Sequence, residues 1–380
     1  MRFGTLLALL PITRCKFAIS SIADSIDGGV GLALADLDPS SSHVGLLAAT
    51  VRDNSLTLFQ HDGSDAFEPD VVTSAAVDAY AVVAADLDGD SSLDYVVASP
   101  GDNTVAWYEN RRGAIGNRHV LTTTVDGPAA LAVADLNGDS RNDVVVASSW
   151  DSTIIVFMNT GNRNFDGRVI TREAPLVSAI SIADMNADGS MDLLSGSGEG
   201  GEVAWWENDG AGTFTKRVIS GDARVDGVAS MAAADLDGDG DLDVVVASAN
   251  TNEVVWFEAS EKGSFAAARM NVITRDAKVP ASVAVADINH DSFVDVVVGS
   301  AGGGVVTWHK NDGYGRFEQN FTVSATAPGA YDLVAADVDR DLDPDLIIGL
   351  ADGTIAWAEN REDGATFVEH TVSSCPAAVE

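Results

Sequence analysis

A nine-residue acidic pattern that returns at a nearly fixed interval restricts the fold of this chain more than any other feature. In DLDGDGDLDVVVAS, starting at Asp235, carboxylates occupy alternate positions and then give way to a row of valines. Related stretches start at Asp86, Asp135, Asp184, Asp287 and Asp337, and a degenerate one, DLDPSSSHVGLLAA, at Asp36. The first aspartates of the seven copies lie 50, 49, 49, 51, 52 and 50 residues apart. So constant a period marks one supersecondary unit repeated along the chain.

Each unit has the same interior. Small apolar residues, such as ALAVA (130–134) or AVVAA (81–85), precede the acidic stretch, and a β-branched run such as VVVAS (144–148) follows it. A third run is built round Trp107, Trp205, Trp256, Trp308 or Trp357, and a glycine-containing turn leads to a fourth, such as RVIS (217–220) or NVIT (271–274). Four short runs separated by Gly, Asn and Asp turns, without helical periodicity, predict four-stranded antiparallel blades. Seven blades round an axis leave only short, protected edges, so the expected fold is all-β: a seven-bladed β-propeller with acidic loops between first and second strands. The expected organisation is a leader over 1–29, one propeller over 30–374 and a tail over 375–380. The tryptophans, with Phe67, Phe165, Phe214, Phe265, Phe317 and Phe367, read as packing residues in phase with the strands. Closure of the ring stays open: CKFAISS (15–21) resembles a fourth strand and competes with FVEHTVSS (367–374), and a Cys15–Cys375 bridge would require the N-terminal segment to reverse.

Positions one, three, five and nine of the loops carry Asp86, Asp88, Asp90 and Asp94 in the second unit and Asp135, Asn137, Asp139 and Asp143 in the third. The fourth has Asp184, Asn186, Asp188 and Asp192, and the fifth Asp235, Asp237, Asp239 and Asp243. The sixth has Asp287, Asn289, Asp291 and Asp295, and the seventh Asp337, Asp339, Asp341 and Asp345. Carboxylates this close repel one another unless a cation intervenes, and oxygen ligands in a flexible loop suit Ca²⁺ better than the smaller, octahedral Mg²⁺. Six structural calcium sites are therefore expected. They are not EF-hands, because position twelve is Val97, Val146, Ser195, Val246, Val298 or Ile348 and a strand follows. The first unit has Ser40 and Val44 in place of two acids and is expected to lack an ion.

A D-x-[DN]-x-D-x-x-x-D loop between two strands, followed by the Trp strand and a Gly-x-Phe turn, resembles the FG-GAP or VCBS repeat of integrin α-subunit propellers, fungal propeller lectins and many secreted microbial proteins. The resemblance covers roughly residues 30 to 374. It implies a propeller whose loop positions above are calcium ligands on the lower face, with ligands bound on the upper face or in clefts between blades.

The formal charge of −36 disfavours nucleic acid as a partner and favours cations. No apolar run reaches the length of a membrane span. The N-terminal MRFGTLLALLPITRCKFA is compatible with a secretory signal, and sites of modest affinity suit extracellular calcium, so the expected location is secreted or extracellular. On the face opposite the calcium loops, Arg172, Arg224 and Arg275 fall on one rim, with Tyr331 and Trp150 beside them. These are the candidate ligand-binding residues for a carbohydrate or protein partner, the arginines forming a local positive patch and Trp150 a stacking platform. The six histidines form no metalloprotease motif and no nucleophile elbow occurs, so a binding or adhesion module is the expected function. A polysaccharide lyase-like enzyme and a purely structural propeller domain are the alternatives.

Overall fold

The computed structural model describes residues 30–373, apart from 36–44, 52–53, 62–66, 112–113, 261–262, 266–268, 362–363 and 365. Seven four-stranded antiparallel sheets follow one another, each built from four strands consecutive in sequence. The first strands, Val30–Ala35, Ala81–Ala85, Pro128–Ala134, Val177–Ala183, Val228–Ala234, Pro280–Ala286 and Ala330–Ala336, pack against one another in ring order. The structure is thus a seven-bladed β-propeller with the acidic loops joining first and second strands. Among the described residues no helix is long and apolar enough to cross a membrane.

The sequence places residues by radius. Alanine dominates the crowded inner strands, and a Cβ on the one glycine among them, Gly31, would lie 2.2 Å from the Tyr80 carbonyl oxygen of the next blade. Second strands such as Asp143–Ser148 and Asp243–Ser248 are buried throughout, which explains their unbroken valine runs. On third strands, Trp107, Trp205, Trp256, Trp308 and Trp357 are buried in cores shared with the following blade. The following blade's phenylalanine meets the indole edge-on, with centroids 6.4 Å apart for Phe165 on Trp107 and 6.5 Å for Phe265 on Trp205. Blade one closes on blade seven in the same way, Phe67 lying 6.3 Å from Trp357.

Ring closure is thus non-covalent among the described residues. Leu32, Leu46 and Phe59 of blade one share a core with Val334, Ile347 and Trp357 of blade seven. At the inner strands the Leu32 N–H donates to Asp332 Oδ2 at 2.9 Å. The same register position bridges two earlier seams: Ser230 Oγ accepts from the Val283 N–H (3.2 Å) and Ser282 Oγ from the Leu333 N–H (3.1 Å). Blade seven draws its fourth strand, Thr366–Ser373, from its own repeat. The 15–21 segment, Cys15, Cys375 and the degenerate loop from Asp36 lie outside the described residues.

A second set of links ties four of the acidic loops to the next blade. In blade four the Asn208 side-chain amide donates to the Met191 carbonyl of its own loop (2.9 Å) and to the Leu136 carbonyl of blade three's loop (2.8 Å). Asn159, Asn311 and Asn360 repeat the arrangement, reaching Leu87, Leu236 and Ile288 carbonyls at 2.8, 2.8 and 2.9 Å. Blade five has Ala259 at this position.

Two outcomes follow from these seams. Asn208→Ala strips one buried and one part-buried carbonyl of their donor and is expected to cost about 1–3 kcal/mol in urea unfolding; an unchanged midpoint would show that the bridge contributes nothing. Full burial pushes the Asp332 carboxyl up to about 7, against the bonds from Leu32, Leu333 and Ser282. The folded protein therefore holds this proton where the unfolded chain has released it, and its stabilising contribution, complete below the unfolded value near pH 4, is lost as pH rises to 7. Wild type is expected to lose stability relative to Asp332→Asn over that window; a difference that stays flat between pH 4 and 7 would contradict it.

Candidate metal centre

The loops are shaped by their first aspartate. Asp86 Oδ1 accepts from the Gly89 N–H (2.7 Å) and Oδ2 from the Ser91 N–H (3.0 Å), and Asp235 takes Gly238 (2.8 Å) and Gly240 (3.0 Å) in the same way. The carboxylate thereby folds the chain round itself. Positions four and six take left-handed backbone in every one of the six loops, including non-glycine pairs such as His290 and Ser292 (φ 55° and 71°) and Arg340 and Leu342 (φ 66° and 82°). Position five then accepts from position seven, as in Asp90 from Ser92 at 2.8 Å.

Position nine opens the second strand and is buried in all six blades. Asp94 Oδ2 accepts from the Leu87 N–H of its loop and Oδ1 from the Asn110 N–H of the third strand, both at 2.9 Å. Asp143, Asp192, Asp243, Asp295 and Asp345 do the same with Asn159, Asn208, Ala259, Asn311 and Asn360. Burial pushes the carboxyls of Asp94, Asp243, Asp295 and Asp345 up to about 7 and that of Asp143 to about 6, and raises Asp192; the paired N–H groups oppose it. Neighbouring loop carboxylates push Asp94 and Asp143 further in the direction of burial.

Three sets of carboxylates converge: Asp86, Asp88 and Asp90; Asp235, Asp237 and Asp239; and Asp337, Asp339 and Asp345, each set offering oxygens within 4.8 Å of one another. In blade seven, Asp337 Oδ1 is buried with no hydrogen-bond partner among the described residues. Asp237, Asp337 and Asp339 are raised first by burial and also by adjacent carboxylates. An oxygen-only donor set, an orphaned buried carboxylate oxygen and mutual repulsion fit a hard divalent cation. In blades three, four and six, Asn137, Asn186 and Asn289 supply an amide oxygen at position three, and each accepts the position-five N–H at 3.0 Å. Asp341, at position five of blade seven, accepts from the Asp343 N–H at 2.9 Å, as Asp90 does from Ser92.

The asparagine closing the third strand is the functional position that sequence reasoning passed over. It recurs in WYEN, FMN, WWEN, WHKN and WAEN as regularly as the tryptophan does, and that phase was the available signal.

On the opposite face, second-to-third turns join fourth-to-first loops through backbone bonds such as Ser149 N–H to the Gly127 carbonyl, 2.8 Å. Trp150 is 59% exposed there, its indole lying over Gly127, where a Cβ would come within 2.6 Å of the ring. The arginine rim is less positive than its sequence suggests. Arg224 is hydrogen-bonded to Asp222 (Nε to Oδ2, 2.8 Å) and Arg275 to Glu253 (2.9 Å), while Arg172 is exposed. Tyr331 lies half-buried at the start of a first strand, beside Tyr80 and the second-to-third turn residues Ala249 and Ala301.

No curated protein sequence matches the chain. Among solved structures it is similar to Saccharomyces cerevisiae Sqt1, with 13% identity, a TM-score of 0.56 and coverage of 91% of this chain and 100% of that one. It is also similar to BBS1N, solved in complex with ARL6DN, with 16% identity, a TM-score of 0.53 and coverage of 77% and 81%. Both likenesses concern the fold. A model of the FG-GAP-like repeat matches residues 86–146, 135–195, 184–246, 235–298 and 287–348, each span running from the first aspartate of one acidic loop into the second strand of the next blade. Since these spans together cover more than half of the sequence, the chain belongs to the FG-GAP-like repeat family.

Proposed function

We propose that the protein is a calcium-stabilised extracellular binding module, with cations held on its lower face and a carbohydrate or protein ligand received on the upper one. The observation that carries the calcium reading is the convergence of Asp337, Asp339 and Asp345 round a buried oxygen without a donor. The residues that would hold the ion are positions one, three, five and nine of each of the six loops, with Asn137, Asn186 and Asn289 contributing amide oxygens. A bound divalent ion supplies positive charge where the fold gathers carboxylates at its own expense. Extracellular placement is supported by the match between modest-affinity oxygen sites and millimolar calcium.

On the upper face the support for a ligand is the exposed indole of Trp150. Because Arg224 and Arg275 already have acidic partners and the chain carries −36 overall, the ligand this face suits is neutral or weakly charged. Stacking on a sugar ring, or insertion into a protein surface, uses the indole in the same way.

Thermal unfolding with calcium and after chelation, with metal content measured on the same sample, tests the first half. Several Ca²⁺ per chain and a large loss of melting temperature on chelation are expected, since a site at 100-fold saturation adds about 2.7 kcal/mol. Asp337→Asn is expected to remove one ion. Protein without metal and without a shift would end the calcium reading. For the upper face, Trp150→Ala is expected to weaken by about tenfold or more any glycan or protein ligand that wild type retains, the loss of roughly 1.4 kcal/mol or more from one anchor; undiminished binding would remove Trp150 from the site.

A further inference from the structure

Blade two's loop differs from the other two convergent loops in that a cation belonging to the chain already rests on it. Arg163 stands in the turn between strands Thr153–Gly161 and Asn164–Thr171 of blade three, where Asn162 and Arg163 both take left-handed φ, 53° and 64°. From there the guanidinium crosses the seam. Its Nη2 lies 2.8 Å from Asp88 Oδ2, at position three of the acidic loop, and its Nε 2.9 Å from Glu109 Oε1. The Asp88 and Glu109 side chains are 8% and 1% exposed while that of Arg163 is 43% exposed, so the contacts are shielded from water on their acidic side only.

The far end of the bridge is fixed. Glu109 also accepts from Arg111 and His119, each at 2.8 Å, and the His119 ring stacks on Trp107 with centroids 4.4 Å apart. Basic groups touch loop carboxylates elsewhere, Arg141 on Asp139 and Lys310 on Asp291, but both come from the same blade as the loop and their acids are 27% exposed. Among the described residues no Lys, Arg or His contacts Asp235, Asp237 and Asp239, or Asp337, Asp339 and Asp345.

We propose that Arg163 is a built-in competitor for the cation of blade two. This rests on the calcium reading of the loops and deepens it: the sites are unequal, and blades five and seven fill before blade two. Calcium reaches Asp88 only by taking it from the guanidinium, so filling blade two loosens the contact between blades two and three and disturbs the Glu109–His119 pair. A charge-assisted bond to a carboxylate that is itself buried is strong enough to shift the affinity of one site by about tenfold.

Calcium titration by calorimetry on wild type, Arg163→Gln and Asp88→Ala tests the idea, alongside the ring signals of His119 followed by NMR in wild type. Arg163→Gln is expected to bind the same number of ions with one weak step tightened about tenfold, and Asp88→Ala, which leaves no side-chain oxygen at position three, to lose that step. In wild type the His119 signals are expected to move only in the last phase. An Arg163→Gln titration that superimposes on wild type, or His119 moving with the first equivalents or never, would overturn the proposal while leaving calcium binding intact. Should Arg163→Gln fail to fold, the wild-type His119 signals decide. A wild-type protein that binds no calcium would bring down the underlying reading itself, a result distinct from the others.

Discussion

In six of the seven blades a buried carboxylate accepts two backbone N–H groups, one from the acidic loop and one from the end of the third strand. These bonds hold the loop against its blade, and the residue whose N–H is used at the strand end is, in five blades, an asparagine. In blades three, four, six and seven that asparagine's amide then grips the preceding blade's loop. Local loop geometry and blade-to-blade register are therefore one network. Its cost is electrostatic: burial raises every one of these carboxyls, and the acids of the same loop make charging harder still. A divalent cation at the loop would relieve both penalties together, which ties the proposed metal to the fold rather than to a separate task.

The ring is asymmetric in how its seams are secured. Gly31, Ala81, Ala130 and Ala179 occupy the inner-strand position where Ser230, Ser282 and Asp332 stand in the last three blades. Those three polar residues bond across to the next inner strand, with the carboxyl of Asp332 at the seam between the first and last blades. Closure between the first and last blades joins segments some 300 residues apart, so it bears the largest loop-closure entropy of any seam. A buried carboxyl that accepts across the seam and a shared apolar core answer that cost there.

The period, the strand count and the burial of the tryptophans were legible because each is a repeated local signal, and seven repetitions average out the noise of any one. The loop positions were legible for the same reason. What the sequence did not display were pairings across blades: GNRNF announces a turn, but not that its Arg163 reaches Asp88, 75 residues away. The pairing of Arg224 with Asp222 was local enough to be read, yet counting arginines along one rim without their acidic neighbours overstated the patch. Left-handed loop positions were visible only where glycine occupies them, as in blade five; His290 and Arg340 hold the same geometry because the first aspartate's bonds dictate it, against a steric cost of roughly 1–2 kcal/mol per residue.

The two faces are specialised by what their loops have left to offer. On the lower face, backbone N–H groups and carboxylates are spent on one another and on the adjacent blade, and the geometry repeats with little freedom to vary. Upper-face turns are tied by a few backbone bonds and otherwise differ from blade to blade: Gly101, Trp150, Asn250 and Gly302 occupy one equivalent place. Substitution there leaves the lower-face links between blades untouched, because none of those bonds runs through these turns. A surface free to change while its scaffold stays fixed is where recognition can be built, and the exposed indole of Trp150 above Gly127 is the largest such departure from the repeat on the described upper face.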